Sequence, residues 1–137
     1  MRSRYTAFSQ GNLDYLSATH HPDHQSATDP KTLAKSIRST QWLNLIVLST
    51  RKGQRRDKTG IVEFVAAYRN VAILDLSPGF SGNRDDIKQM HERSQFVKEN
   101  GTWLYTTGEM LPYFIPKRDQ RCWCGSPQKF KQCHGSR

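Results

Sequence analysis

Long hydrophobic runs are missing from this sequence. No stretch approaches the ~18 apolar residues that a membrane-spanning helix needs, and the opening segment MRSRYTAFSQ lacks the apolar core of a secretory signal. Together these absences predict a soluble, cytoplasmic chain. Acidic side chains are scarce: 12 Asp and Glu face 21 Lys and Arg, for a net charge of +9. That balance favours acidic partners such as RNA, anionic lipid or an acidic protein face, without choosing among them. Apolar residues are also few, at 35%. They nevertheless fall in patterned blocks, which excludes a wholly disordered chain. The 137 residues suffice for one ordinary core plus a small appendage and leave no length for a second full domain. No phosphate-binding glycine loop and no nucleophile-and-base motif occurs.

Cysteine is rare too, and its placement is informative. All three cysteines lie within twelve residues, in the pattern C-x-C, eight residues, then C-H: Cys122, Cys124, Cys133 and His134. An odd count with two cysteines one residue apart is a poor disulfide framework, and three exposed thiols beside basic side chains would oxidise readily. Two close pairs of soft ligands are what a tetrahedral zinc ion collects. Gly125 and Pro127 supply the punctuation for the chain to fold back between the pairs. Four protein ligands leave no open position, so one structural zinc is expected, unable to activate water. Beyond Trp123 and Phe130 the segment has few apolar side chains, so it should need metal to fold and should have little to offer the rest of the core. Lys117 to Arg137 also carries six basic side chains against Asp119 alone, placing +5 of the +9 there.

This segment resembles the SEC-C motif, the zinc-binding tail first named from the SecA translocation ATPase. The match runs through Cys122, Cys124, Gly125, Ser126, Lys129, Phe130, Lys131, Cys133, His134 and Gly135. Trp123 replaces the usual proline, Pro127 the usual glycine, and Lys117 to Arg121 differs from the usual G-R-N-D-P. The resemblance implies a docking surface, since in SecA the metal-loaded tail contacts an acidic export chaperone and the ribosome. Arg121, Lys129, Lys131 and Lys117 would supply its charge, and Trp123 and Phe130 its apolar centre.

Elsewhere, Tyr5, Phe8, Leu13 and Leu16 fall near helical spacing with a break at Gly11-Asn12, which predicts two short helical pieces. A further helix is expected over Asp29 to Ser39, capped by Asp29 with Pro30 in its first turn. Between them Thr19 to His24 reads as a polar loop. Strands are expected at Trp42 to Thr50, Gly60 to Arg69, Lys88 to Lys98 and Thr102 to Gly108, the last two joined by an Asn100-Gly101 tight turn and the first two by a charged turn. Val62, Phe64, Ala66 and Tyr68 alternate onto one face. In the third strand the outward face carries either Lys88, Met90 and Glu92 or their neighbours, and the pattern does not choose between the two. Val71 to Leu76 extends as a strand and Ser77 to Asn83 reads as loop. Helices followed by antiparallel strands describe an α+β fold with helices on one face of a curved sheet.

Met1 to Tyr5, Ala7-Phe8, Asp14 to Leu16, His21-Pro22, Trp42-Leu43, Phe64 to Ala66, Glu92 to Phe96 and Lys98 to Trp103 resemble the YchJ family of uncharacterised bacterial proteins. The resemblance implies the nuclear transport factor 2-like, or cystatin-like, fold over residues 1–116, with the SEC-C knuckle at 117–137. It assigns no activity. Relatives commonly carry a second SEC-C motif ahead of the Met-Arg-Ser-Arg-Tyr segment, so this chain is either naturally short or truncated at its start. The Asn70 to Asp86 stretch is longer than usual for the family and reads as an inserted loop.

Three functions compete at this level. The first is an adaptor docking on an acidic protein, such as an export chaperone, or on the ribosome. The second is an RNA contact through the same basic knuckle, by way of ribosomal RNA. The third is a pocket in the cone-shaped domain, where acid-base work would fall to His20, His21, His24, His91, Glu63, Glu92 or Asp75. An adaptor without catalytic residues is the leading expectation. A second metal site at His20, His21 and His24 is the weaker metal candidate, its histidines crowded into five residues with no cysteine beside them.

Overall fold

The computed structural model describes residues 1–27, 29–71 and 83–136. Asp75, most of the Val71 to Leu76 strand, most of the Ser77 to Asn83 loop and the centre of the expected insertion lie outside the described residues. Helices α1 (Arg2–Gln10) and α2 (Leu13–Ala18) are separated at Gly11, whose φ of 71° ends the first helix, and Asn12 caps the second through the Tyr15 amide. Helix α3 (Pro30–Ser39) begins as expected, with the Asp29 carboxylate accepting from the Thr32 amide. The polar loop after α2 is more regular than expected, with a short 3-10 turn over Pro22–Ala27.

Strands β1 (Thr40–Lys52), β2 (Thr59–Asn70), β3 (Lys88–Glu99) and β4 (Thr102–Met110) form one antiparallel sheet in the order β1-β2-β3-β4. Irregular register at Trp42/Asn44 and Val47/Ser49 in β1, and at Ser94/Phe96 in β3, bends this sheet. The β3–β4 turn uses Asn100 and Gly101 at φ of 50° and 78°, the left-handed pair that a two-residue hairpin requires.

Alternation in β2 assigns the two faces. Phe64, Ala66 and Tyr68 face a cavity roofed by the helices, as their spacing predicts. Met90 and Glu92 line it too, which decides the face that the strand's own pattern left open. Phe64 pairs with Glu92 and Ala66 with Met90 in register, so the β3 residues must follow their β2 neighbours to the inner face. Val65 and Ala67 point the other way and are fully buried, because the C-terminal segment covers them. A single core there joins Val65 and Ala67 to Cys122, Trp123, Cys124 and Cys133, with Leu43, Ile46, Leu48 and Phe114 packed around it. The expectation that the knuckle contributes little to the sheet is thus overturned: the sheet's outer face is apolar, and the knuckle is its cover.

Candidate metal centre

The chain leaves β4 pinned along β3. Gln89 donates to the Phe114 carbonyl (3.1 Å) and accepts from the Phe114 amide (2.8 Å), imitating a strand pair with one side chain. A turn at 117–120 follows, closed by Gln120 onto the Lys117 amide (2.9 Å). Cys122 donates its amide to the Gln128 carbonyl (3.0 Å) and Phe130 to that of Gln120 (2.7 Å), making a minimal hairpin. At its tip Gly125 has φ 88°, and a Cβ there would stand 2.9 Å from Cβ of Asn44, so glycine is required both by conformation and by close approach to β1. Asn44 completes this contact by donating to the Trp123 carbonyl (3.0 Å). A short turn at Phe130–Gln132 then returns Cys133 and His134 to the first pair.

The four expected ligands converge, with their donor atoms all within 4.8 Å of one another. Cys122 Sγ lies 3.2 Å and Cys133 Sγ 3.3 Å from His134 Nδ1, and Cys124 Sγ lies 3.7 Å from Cys133 Sγ. All three sulfurs are free thiols and buried. His134 Nε2 lies 3.1 Å from the Arg84 carbonyl, to which it donates. That bond places the proton on Nε2 and leaves the Nδ1 lone pair facing the sulfurs, the orientation that a ligating imidazole needs. Arg84 in turn donates to the Gln132 carbonyl (3.3 Å). Among the described residues no other His, Cys, Asp and Glu group of this kind occurs.

Electrostatics separate the thiols. Burial pushes Cys122 up to about 11. Burial acts the same way on Cys133, but hydrogen bonds from the Ser126 hydroxyl (3.4 Å) and the neighbouring thiols outweigh it and bring that group down to about 6. One sulfur is therefore a ready thiolate and another holds its proton until a cation replaces it. Three soft donors and an oriented imidazole, with no water-open corner, fit a closed metal site.

The family model for the SEC-C motif matches residues 120–136, and that for the YchJ middle NTF2-like domain matches residues 1–108. The chain belongs to the YchJ family. A UPF0225 protein of Serratia proteamaculans is 35% identical over 135 residues, covering 98% of this chain and 78% of that protein. One from Geobacter sulfurreducens is 36% identical over 141 residues, covering 99% and 80%. Among solved structures, a SEC-C motif containing protein from Rhodopseudomonas palustris has a TM-score of 0.63 at 30% identity, covering 81% of this chain and 75% of that one. Another from Psychrobacter arcticus has a TM-score of 0.59 at 27% identity, covering 99% and 71%. The YchJ fold is thus the NTF2-like α+β fold expected from the sequence, carrying a SEC-C metal-ligand cluster.

Two expectations about the knuckle surface change in this YchJ chain. Trp123, expected as an apolar docking centre, is 1% exposed. It packs against the His134 ring (4.4 Å between centroids) and edge-on to Tyr113 (5.7 Å), inside the core shared with Val65 and Ala67. It cannot meet a partner, because the face that would receive one is the sheet itself. Phe130 is half-buried against the same core. Arg121 and Lys129 are exposed, Lys131 less so. Both lysines bond Asp119, Lys131 at 2.7 Å and Lys129 at 3.4 Å, and they hold its carboxyl below the usual range.

The acid-base candidates scatter. His21 reaches Glu99 (3.0 Å), while His20 turns to the Tyr105 ring (5.2 Å), so the three neighbouring histidines do not converge. His91 lies between the Pro112 carbonyl (2.7 Å) and Glu63 (3.1 Å), and Glu63, held below its usual range by His91 and Arg93, belongs to that ion-paired ladder. Among the described residues of this set only His20 and Glu92 line the cavity. Arg4, a cavity residue that sequence reasoning missed, is buried at 8% exposure. Its only signal was a basic residue on the apolar side of a short helix.

Proposed function

We propose that this YchJ protein is a zinc-binding adaptor whose metal-loaded knuckle docks on an acidic protein partner, such as an export chaperone, or on the ribosome. Zinc is the ion that the donor set favours. Three thiolates and one imidazole are soft, and a tetrahedral zinc has sulfur–sulfur edges of about 3.8 Å and sulfur–nitrogen edges of about 3.5 Å. The gaps of 3.7 Å and 3.2 to 3.3 Å come close to these. In this reading zinc is structural, holding the hairpin and the returning turn together with no open coordination position.

One observation carries the adaptor reading. With Trp123 turned inward, the outward face of the knuckle is left to Lys117, Arg118, Arg121 and Lys129, all exposed, with Lys131 beside them. A rigid basic face on a small metal-stapled turn is suited to steering and orienting an acidic partner. Asp119 offsets part of this charge and pre-orders the two lysines.

RNA contact is the second reading, favoured by a further basic patch. Arg51, Lys52, Arg55, Arg56 and Lys58 are all exposed at the β1–β2 turn, with Asp57 the only acid among them. Phosphate backbones are met by such clusters without sequence preference. Reversing Lys129 and Lys131 to Glu should abolish capture of partners from a bacterial lysate at unchanged zinc content. Nuclease digestion before the pull-down separates the readings: capture that survives it is protein docking. If the double variant retained the same proteins or ribosomes at ordinary salt, the knuckle would be a structural clip and the adaptor reading would fail.

A further inference from the structure

The helix-roofed side of the sheet encloses a cavity of 560 Å³, within the range of about 300–1,000 Å³ typical of small-molecule sites. Its two ends differ. At one end Trp42 is surrounded by Tyr68 (5.5 Å between centroids), Tyr5 (5.9 Å) and Phe8 (6.1 Å). Trp42 pairs with Tyr68, and Phe64, four residues earlier in β2, pairs with Glu92. The second end, marked by Glu92, therefore lies about 13 Å along the sheet, and the Arg4 guanidinium reaches both ends, standing 5.9 Å from the Phe8 centroid.

That second end is charged. Arg4 is the sole Lys or Arg side chain on the cavity wall and Glu92 the sole carboxylate among the described residues. Arg4 Nη1 donates to the Leu16 carbonyl (3.0 Å) and to Thr19 Oγ1 (2.6 Å), and the guanidinium lies over the Tyr105 ring, 4.9 Å from its centroid. Glu92 accepts from Ser94 (2.6 Å) and Tyr105 (3.4 Å), and its carboxylate occupies the space that a Cβ on Gly108 would fill. Among the described residues neither Arg4 nor Glu92 has an ion-pair partner, although both adjoin Tyr105. Burying a charge without a counter-ion is costly, and here a buried guanidinium and a half-buried carboxylate stand at one phenol ring without forming an ion pair.

Tyr105 and His20 leave that charge pair unaltered, and the Met1 ammonium on the same wall is disfavoured by burial and by Arg4. Burial and Glu92 push Tyr105 up to about 12, so it remains a phenol, and burial together with Arg4 pushes His20 down, so it adds no positive charge at neutral pH. An anion alone would satisfy Arg4 but face Glu92, and a cation alone would do the reverse. We infer that the cavity binds an amphoteric small molecule of the aromatic amino acid class, its carboxylate on Arg4, its ammonium on Glu92 and its ring toward Trp42.

Calorimetric titration of the metal-loaded chain with L-phenylalanine, phenethylamine and hydrocinnamate tests this. L-phenylalanine should bind, and each single-charge analogue should bind at least about tenfold more weakly, since each leaves one charged group of the cavity wall unpaired. Glu92→Gln should weaken L-phenylalanine about tenfold but not hydrocinnamate, a split that a merely structural role would not produce. No binding of L-phenylalanine, or equal binding of all three probes, would overturn the inference. Should the variant fail to fold, the Trp42 indole resonance of the unaltered chain decides: it shifts on adding L-phenylalanine if the site is as described, and a resonance that stays put refutes it.

Discussion

Single side chains set the metal site's chemistry. Cys124 supplies a sulfur that no neighbour can replace, so Cys124→Ser should release the metal, read by elemental analysis of freshly purified protein against about one zinc per unaltered chain. The unequal thiols make proton release countable. In the metal-free chain near neutral pH, Cys133, lowered to about 6, is already a thiolate, whereas Cys122, raised to about 11, is not. Zinc uptake should therefore release fewer than three protons, Cys133 contributing almost none, and affinity should fall as acidification reprotonates Cys133. Calorimetry in two buffers of different ionisation heat measures this, and release of three protons would contradict it. Tyr105 adds an alkaline effect of defined sign. Its folded value of about 12 exceeds the ordinary value of 10, so the contribution is complete below pH 10 and lost as pH rises through 12. Tyr105→Phe should remove that slope from pH-dependent urea unfolding.

At the scale of elements, the knuckle and the sheet form one structure. Val65 and Ala67 of β2 are fully buried only because Trp123 and the ligand cysteines lie over them. Trp123→Ala should cost about 3–5 kcal/mol, the usual loss for a buried large aromatic. Deleting residues 117–137 should cost at least as much, a large share of the about 5–15 kcal/mol available to a small domain. The loss should appear in denaturant unfolding as a lowered midpoint or a vanished cooperative transition. An unchanged midpoint would mean that the sheet's outer face tolerates water. Chelation should act in the same direction, since the ion that orders the hairpin also holds the cover in place.

For the molecule as a whole, two exposed basic regions stand out, the knuckle face and the β1–β2 turn. Neutralising Arg55 and Arg56 to Gln should weaken retention on an RNA column and flatten its salt dependence if phosphates are the partner. The same substitutions should leave capture of an acidic protein by the knuckle unchanged. No helix among the described residues is long and apolar enough to cross a membrane, and none has the length to carry partners at a distance.

Local chemistry was legible in the sequence. The break at Gly11-Asn12, the Asp29-Pro30 helix start, the Asn100-Gly101 hairpin and the convergence of Cys122, Cys124, Cys133 and His134 all rest on interactions within short stretches of chain, so residue type and spacing determine them. The faces of β3 were not, because a shift of one residue in pairing exchanges inside for outside and only the β2 partner fixes it. Trp123 looked like an exposed contact because nothing near it in sequence could bury it. The surface that does so belongs to β1 and β2, more than fifty residues away. Arg4 and Glu92 likewise became neighbours of one ring only through tertiary packing, when α1 closed over the sheet and buried the guanidinium.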